Sequence, residues 1–326
     1  MTSDGAAVRA RTLTRRFEEL TAVDALDFEV RPGELFGLVG PDGAGKTTTL
    51  RMLAGVLPPS DGDAVVLGSA MAVDPEEPKS EIAYMPQRFG LYTDLTVREN
   101  LDFYADLFRV REPERSRRRE RLYEFSGLGP FEDRLAGDLS GGMKQKLGLS
   151  CALIHEPELL LLDEPTFGVD PISRRDLWMI VHEMVARGVT AIVSTAYMDE
   201  AERFDRVALL DQGRLLAMDT PDRLARDLEG RLLSVRAVPL REARDRLESL
   251  PFVVRAAVFG DRVHATVDDA AERRIEARRE LEEAGLERVA VEPVAPSMED
   301  VFMDRVEGSR GVSAETGSAA GTGPAP

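Results

Sequence analysis

Cysteine and long apolar runs are scarce in this sequence. Cys151 is the only cysteine, so no internal disulfide can form, and its apolar surroundings favour a buried packing role. No stretch approaches the roughly eighteen apolar residues that a membrane-spanning helix needs, and the first residues lack the apolar core of a signal peptide. We therefore expect a soluble cytoplasmic protein, and 43% hydrophobic residues among 326 are enough for a substantial core.

Positive charge is also scarce. The formal net charge of -17 argues against nucleic-acid binding, which needs a basic surface. The basic cluster at residues 117–119 alternates with Glu114 and Glu120 in a helical pattern, which favours a solvated helix face over a binding patch. We expect no nucleic-acid partner.

A glycine-rich loop stands between an apolar run, residues 35–39, and a helical pattern that begins near Lys46. Such a loop points backbone N–H groups into one concavity, and the helix N-terminus and Lys46 add positive charge. Thr47 can place its hydroxyl on a magnesium ion that bridges the outer phosphates. The Gly-x4-Gly-Lys-Thr spacing therefore predicts a polyphosphate site. It consists of Gly40, Pro41, Asp42, Gly43, Ala44, Gly45, Lys46, Thr47 and Thr48.

Two carboxylates end a second apolar run, residues 159–162. A carboxylate pair is costly at the end of a buried strand unless a ligand or metal compensates it. Asp163 suits a magnesium shell, and Glu164 suits a base that orients an attacking water. Further strands at residues 189–194 and 206–210 follow helical segments, and this alternation predicts an α/β fold with a parallel sheet.

Several other residues allow two interpretations. Ser140, Gly141 and Gly142 open a helix and form either a second anion site or a simple N-cap. Phe17 either stacks on a purine or packs in the core. Gln87 follows a short buried strand, at the kind of position where ligands gather in open α/β sheets.

Taken together, these residues resemble the nucleotide-binding subunit of an ABC transporter over residues 8–230. The order and spacing of the motifs agree with that family throughout. The matching segments are the Walker A loop at 40–48, the Q-loop at Gln87, the signature motif at 139–145, Walker B at 159–163 with its catalytic Glu164, the D-loop at 168–171 with Asp170, and the adenine-stacking Phe17.

The resemblance implies a P-loop ATPase domain at residues 1–230, with a mixed sheet and a helical subdomain at about 88–157. Magnesium would be held by Thr47, Gln87 and Asp163. The family forms head-to-tail dimers in which ATP lies between Walker A of one subunit and the signature motif of the other. Ser140, Gly141 and Gly142 would thus contact ATP bound to a second ATPase subunit, either identical or related.

The resemblance also implies a partner in the membrane. A separate permease chain would contact the helical insertion and Arg88, Phe89 and Tyr92, and would hold this chain at the inner face of the cell membrane. Residues 296–302 resemble a C-terminal element of ATPases that serve exporters of drugs, antibiotics, lipids and glycans. The predicted function is therefore ATP hydrolysis that powers export.

One position departs from the family pattern. Ala196 stands where the family carries a switch histidine, and His155, His182 and His264 are distant in sequence. Loss of one donor to a transferring phosphate slows reactions by about 10²–10³. We expect slow hydrolysis unless Tyr197 or a water compensates. An ATP-gated regulatory module with little turnover therefore remains an alternative to a transport motor. A soluble ABC ATPase of DNA repair or ribosomes is disfavoured, because extended heptads are missing.

The pattern changes after residue 230. Alternating strand and helix signals in the order βαββαβ predict a small ferredoxin-like α+β domain at residues 231–306. Residues 307–326 are of low complexity, and we expect them to be disordered.

Overall fold

The computed structural model describes residues 5–88 and 90–318, with side chains described up to residue 308. Phe89, one of the predicted permease contacts, lies outside this part of the chain. The chain divides into two compact units, Met1–Met218 and Asp219–Pro326.

The first unit contains the two predicted kinds of structure, strands with crossover helices and a helical insertion. In chain order its elements are β1 Val8–Phe17, β2 Leu20–Val30, β3 Leu35–Val39, α1 Lys46–Leu53, β4 Asp61–Val66, β5 Ser69–Ala70, β6 Ile82–Met85, α2 Val97–Leu107, α3 Glu114–Ser126, α4 Gly141–Leu153, β7 Leu159–Asp163, α5 Pro171–Ala186, β8 Thr190–Thr195, β9 Arg206–Asp211 and β10 Arg214–Asp219.

Two sheets form the first unit. One is four-stranded, in the order β2-β1-β4-β5, and the other is six-stranded, in the order β10-β9-β3-β8-β7-β6. Within the larger sheet β3 runs parallel to β8 and β9, and β7 runs parallel to β6 and β8. Every residue of β3 and β7 is buried, as their unbroken apolar runs predict. The carboxyl ends of these strands share one edge, where the predicted site residues follow them.

The helical insertion carries α2, α3 and α4. Thr96 begins α2 with the predicted capping box: its hydroxyl accepts a hydrogen bond from the Glu99 amide at 3.2 Å, and the Glu99 carboxylate accepts one from the Thr96 amide at 2.8 Å. The predicted mixed sheet with a helical subdomain is confirmed. Among the described residues, no helix has the length and apolar character needed to cross a membrane.

The second unit has the predicted βαββαβ order between a short first helix and a long last one. Its elements are α6 Pro221–Ala225, β11 Leu232–Val238, α7 Leu240–Glu248, β12 Val253–Phe259, β13 Arg262–Val267, α8 Ala270–Glu283, β14 Glu287–Pro293 and α9 Met298–Ser318. The strands form a sheet in the order β12-β13-β11-β14 with antiparallel neighbours. An apolar core that includes Leu233, Val235 and Leu281 lies on one face of this sheet.

Helix α9 departs from the disorder expected for residues 307–326. It begins at Met298 and runs to Ser318, so it enters that segment, and residues 319–326 lie outside the described chain. Helix formation is cooperative, and a well-fixed first turn lets the helix extend into residues of weak propensity.

A buried carboxylate fixes the first turn of α9. Asp300 accepts hydrogen bonds from the Ser297 amide at 2.9 Å and the Ser297 hydroxyl at 2.6 Å, while its other oxygen lies 2.8 Å from Nδ1 of His264 on β13. Burial opposes the ionisation of Asp300, but the hydrogen bonds from His264 and Ser297 outweigh it and lower the pKa of this carboxyl. Asp300 therefore joins the α9 N-terminus to the sheet as a charged group.

We predict that Asp300→Ala destabilises the second unit by about 1–3 kcal/mol, because it removes a helix cap and leaves polar partners unpaired. Because folding lowers the pKa of Asp300, the carboxyl contributes stability above its unfolded pKa and loses it as the pH falls through the folded value. The difference between wild type and variant should therefore shrink below about pH 4. Urea unfolding at several pH values measures both effects. Asp304→Ala, one turn later on α9, is the matched control, and an equal loss there would contradict this role.

Candidate active site

The phosphate loop joins β3 to α1 in a conformation that only glycine adopts easily. Gly43 and Gly45 have φ angles of 81° and 94°, in the left-handed region. A Cβ on Gly45 would lie 2.5 Å from the carbonyl oxygen of Ala22, and one on Gly40 would collide with the carbonyl oxygen of Leu210. The loop therefore lies directly against β2 and β9.

The loop forms the floor of a cavity of about 820 Å³, which is large enough for a nucleotide. The structure brings most of the predicted nucleotide-binding residues together here. These are Phe17, Asp42, Gly43, Ala44, Gly45, Lys46, Thr47, Thr48 and Gln87, and the predicted catalytic Glu164 joins them. Gly40 and Pro41 belong to the loop but do not line the cavity. The cavity is also lined by residues that sequence reasoning missed, namely Leu20, Thr21, Ala22, Phe167 and Gln212. Only Phe167 carried a usable signal, as an aromatic residue close after the carboxylate pair.

Lys46 is buried and points back into the loop. Its ammonium donates hydrogen bonds to the carbonyl oxygens of Gly40 at 2.8 Å and Pro41 at 3.0 Å. It also forms an ion pair with Glu164 at 3.1 Å, with the two side chains only 4% and 8% exposed. Each charge compensates the other in an environment where either alone would be costly.

The carboxyl end of β7 meets α1 through Asp163. Its Oδ1 accepts hydrogen bonds from the hydroxyls of Thr47 at 2.9 Å and Ser194 at 2.8 Å. Its Oδ2 is buried and accepts no hydrogen bond of normal length and angle from the described residues. Tyr84 lies close enough that burial and the Asp163 charge together raise the pKa of its phenol. An uncompensated carboxylate oxygen beside a threonine hydroxyl suits a hard cation such as Mg²⁺, which takes one or two protein oxygens and completes its shell with phosphate and water. Thr47 and Asp163 therefore fit the predicted magnesium site.

Glu164 occupies a strained position directly after β7. Its φ of 49° lies in the left-handed region, which is unusual for a residue with a side chain. Its carboxylate accepts a hydrogen bond from the Gln87 side-chain amide at 3.1 Å, in addition to the ion pair with Lys46. The structure thus places Gln87 beside the predicted catalytic base.

Phe17 lies at the end of β1 on the wall of the cavity. Its side chain is 40% exposed, and the guanidinium of Arg15 stacks on its ring at 4.6 Å. An exposed ring that lines the cavity is available for stacking, unlike a core phenylalanine.

The signature turn lies away from the cavity. Within the described chain, Ser140 and Gly141 are exposed and do not line it, although the Ser140 hydroxyl caps α4 by accepting from the Met143 amide at 3.3 Å. Gly142 is buried where a Cβ would collide with the Ser173 side chain on α5. The three residues of the second predicted anion site therefore stand outside the lining of the cavity that their own phosphate loop forms.

The D-loop residue Asp170 caps α5. Its carboxylate accepts hydrogen bonds from the amides of Ser173 at 3.0 Å and Ile172 at 3.1 Å. Hydrogen bonds from Ser173, reinforced by Ile172, lower the pKa of Asp170. The carboxylate is therefore held at the start of the helix that contacts the signature turn.

Ala196 follows β8, and the segment after it is anchored to α5. Glu200 accepts hydrogen bonds from Thr195 at 2.6 Å and from Arg174 at 2.6 Å. The Arg174 guanidinium stacks on the Tyr197 ring at 4.2 Å. The Tyr197 ring therefore packs against α5, and it is not among the residues that line the cavity.

The three histidines of the sequence lie elsewhere in the structure. None of them lines the cavity formed by the described residues. His155 stacks on Phe108 at 3.8 Å, and burial lowers its pKa to about 4. His182 packs near Trp178, and His264 belongs to the second unit.

Comparison with known proteins agrees with this geometry. The model of the ABC transporter family matches residues 23–167. The chain is 43% identical over 314 residues to the probable multidrug ABC transporter ATP-binding protein YbhF of Escherichia coli (strain K12), covering 93% of this chain and 53% of that protein. It is 35% identical over 322 residues to the daunorubicin resistance ATP-binding protein DrrA2 of Streptomyces coeruleorubidus, covering 97% and 100%.

A solved ATP-binding subunit of an ABC transporter is 32% identical, with a TM-score of 0.62 over 68% of this chain and 92% of that one. The chain belongs to the ATP-binding proteins of ABC transporters. It spans about half the length of YbhF, 53%, and the whole of DrrA2.

We predict that Gly45→Ala abolishes nucleotide binding and destabilises the first unit, because the added methyl meets the Ala22 carbonyl and the left-handed backbone disfavours a side chain. Gly43→Ala is the matched control: its φ is also left-handed, but nothing lies within 4 Å of its added Cβ. The control should lose only about 1–2 kcal/mol. Urea unfolding and titration with ATP measure the two losses, and equal effects at both positions would contradict the importance of the close approach.

Proposed function

We propose that this chain binds ATP with magnesium and hydrolyses it to drive a separate permease that exports a drug, antibiotic, lipid or glycan. The observation that carries the proposal is the assembly of Lys46, Thr47 and Glu164 at the floor of one cavity, with the buried Asp163 hydrogen-bonded to Thr47. Export is supported by two relatives, whose names specify multidrug transport and daunorubicin resistance, and by the C-terminal element at residues 296–302.

In this mechanism, ATP takes the place of Glu164 as the partner of Lys46. The ammonium and the loop amides then hold the phosphates, and Glu164 is freed to accept a proton from the attacking water. Gln87, which donates to the Glu164 carboxylate, keeps the base oriented. Magnesium, held by Thr47, Asp163 and the Gln87 side-chain oxygen, would neutralise charge on the outer phosphates when bound.

A second ATPase subunit completes the site in this proposal. Ser140 and Gly141 are exposed and do not line their own cavity, which supports a role toward ATP bound by a partner. The partner is a second copy or a related chain, arranged with two-fold symmetry.

The central test compares steady-state ATPase activity of the wild type with that of Glu164→Gln. We expect magnesium-dependent turnover in the wild type and almost none in the variant, with ATP binding retained in both, because the amide cannot accept the proton from water. Equal turnover in the two proteins would rule out Glu164 as the base, and a wild type that binds ATP without measurable turnover would favour a regulatory module.

We predict that Ala196→His raises turnover by about tenfold or more, because it restores a donor for the transferring phosphate. ATP affinity should change little, since the loop and Lys46 hold the phosphates. Steady-state kinetics separates the two quantities. Tyr197→His, one residue later on the same segment, is the control. If turnover of the Ala196→His variant is unchanged or lower, the missing donor is not what limits the rate.

We further propose that the permease docks on the helical insertion. Tyr92 and Phe103 pack together with ring centroids 4.5 Å apart and are 46% and 38% exposed, and Leu107, one turn further along α2, is 62% exposed. An exposed group of large apolar side chains, here on α2 and in the segment before it, is typical of a protein-binding surface. This contact would hold the chain at the inner face of the membrane.

We predict that Phe103→Glu combined with Leu107→Glu strongly reduces recovery of the chain with its permease, because carboxylates replace the apolar contact. ATP binding by the isolated chain should be unchanged. Co-purification from detergent-solubilised membranes measures recovery. Ile275→Glu, at an apolar residue of α8 that is more exposed than Phe103 or Leu107, is the control. Undiminished recovery of the double variant would place the permease contact elsewhere.

A further inference from the structure

A buried serine connects the two carboxylates of the site. Ser194 lies near the end of β8 and is 0% exposed. Its strand runs between β3 and β7, and Ser194 itself is in register with Asp163. A hydroxyl in such a place needs partners, because burying it unpaired costs about 1–3 kcal/mol.

Both partners of the Ser194 hydroxyl belong to the active site. It donates to Asp163 Oδ1 at 2.8 Å and accepts from the backbone amide of Glu164 at 3.0 Å. One oxygen atom therefore contacts the side chain of the proposed metal ligand and the backbone of the proposed base.

The first contact orients Asp163. Its Oδ1 is occupied by two hydroxyls, those of Thr47 and Ser194, and this leaves Oδ2 as the oxygen without a hydrogen bond from the described residues. Thr47 belongs to the phosphate loop and is itself a proposed metal ligand. Ser194 belongs to the sheet, so it can hold Asp163 in the same orientation whether or not nucleotide is bound.

The second contact holds Glu164 in its strained conformation. The Glu164 amide donates to both the hydroxyl and the carbonyl oxygen of Ser194, at 3.0 and 3.2 Å. A left-handed φ costs of order 1–3 kcal/mol and persists only where the surroundings impose it. These hydrogen bonds fix the peptide that directs the Glu164 carboxylate toward Lys46 and Gln87.

We propose that Ser194 is a positioning residue for ATP hydrolysis, which sets the orientation of Asp163 toward magnesium and of Glu164 toward the attacking water. Ser194 does not line the cavity, so it influences hydrolysis only through its contacts with Asp163 and Glu164. The inference rests on the proposed ATPase function.

The test uses the full chain with Ser194→Ala, which removes the hydroxyl and adds no bulk. We expect kcat to fall by about 10–100-fold, the usual effect of losing a residue that orients a metal ligand. KM for ATP should stay within about twofold, since the loop and Lys46 hold the phosphates. A second readout is Mn²⁺ binding, measured by electron paramagnetic resonance with a non-hydrolysable ATP analogue, where we expect an affinity about tenfold lower.

Two further variants separate positioning from packing. Ser194→Thr keeps the hydroxyl and should restore kcat and Mn²⁺ affinity toward wild type. Ser150→Ala removes another buried serine hydroxyl, one that donates to the Lys146 carbonyl within α4, and should change neither quantity.

The outcomes distinguish this inference from the proposed function. Unchanged kcat and Mn²⁺ affinity in Ser194→Ala would overturn it, and so would a parallel loss of stability and ATP affinity that Ser194→Thr does not repair. If the wild type shows no turnover above the Glu164→Gln blank, the proposed function fails, and the Mn²⁺ measurement alone still decides whether Ser194 orients Asp163.

Discussion

The buried ion pair between Lys46 and Glu164 is the interaction on which the rest of the site depends. Both side chains are almost fully buried, so removal of either would leave an uncompensated charge at a cost of about 3–5 kcal/mol. The pair links the phosphate loop to the end of β7, and Gln87 is joined to it through the Glu164 carboxylate. The proposed catalytic residues thus lie close together without nucleotide, and in the proposed mechanism ATP binds by exchanging one anionic partner of Lys46 for another.

Parallel strand order explains why this pair can form. β3 and β7 are both neighbours of β8, and their carboxyl ends lie at the same edge of the six-stranded sheet. The loop after β3 therefore faces the carboxylates after β7 across the width of one strand. Ser194, on that intervening strand, contacts the side chain of Asp163 and the backbone amide of Glu164. The helical insertion leaves the sheet between β6 and β7, so it can present α2 to a partner without disturbing this edge.

Sequence reasoning predicted the parts of the molecule that local pattern determines. The unbroken apolar runs of β3 and β7, the capping box at Thr96 and the loop spacing each depend on residues close together in the chain. Gln212 and Ser194 were missed because their importance comes from neighbours that only the folded sheet provides. The disordered tail was predicted from composition alone, and that reasoning leaves out how far a well-capped helix such as α9 extends.

The segment after β8 shows how binding and hydrolysis can be separated in one site. Glu200 and Arg174 fix this segment to α5, and the Tyr197 ring, which does not line the cavity, stacks on Arg174. The alanine at position 196 therefore sits on an ordered support, where it offers no side-chain donor. Ground-state phosphates need only the loop amides and Lys46, whereas the transferring phosphoryl group gains most from donors aimed at its developing charge. If position 196 is the switch position, as the resemblance implies, an intact cradle without that donor is expected to hold ATP more readily than to cleave it.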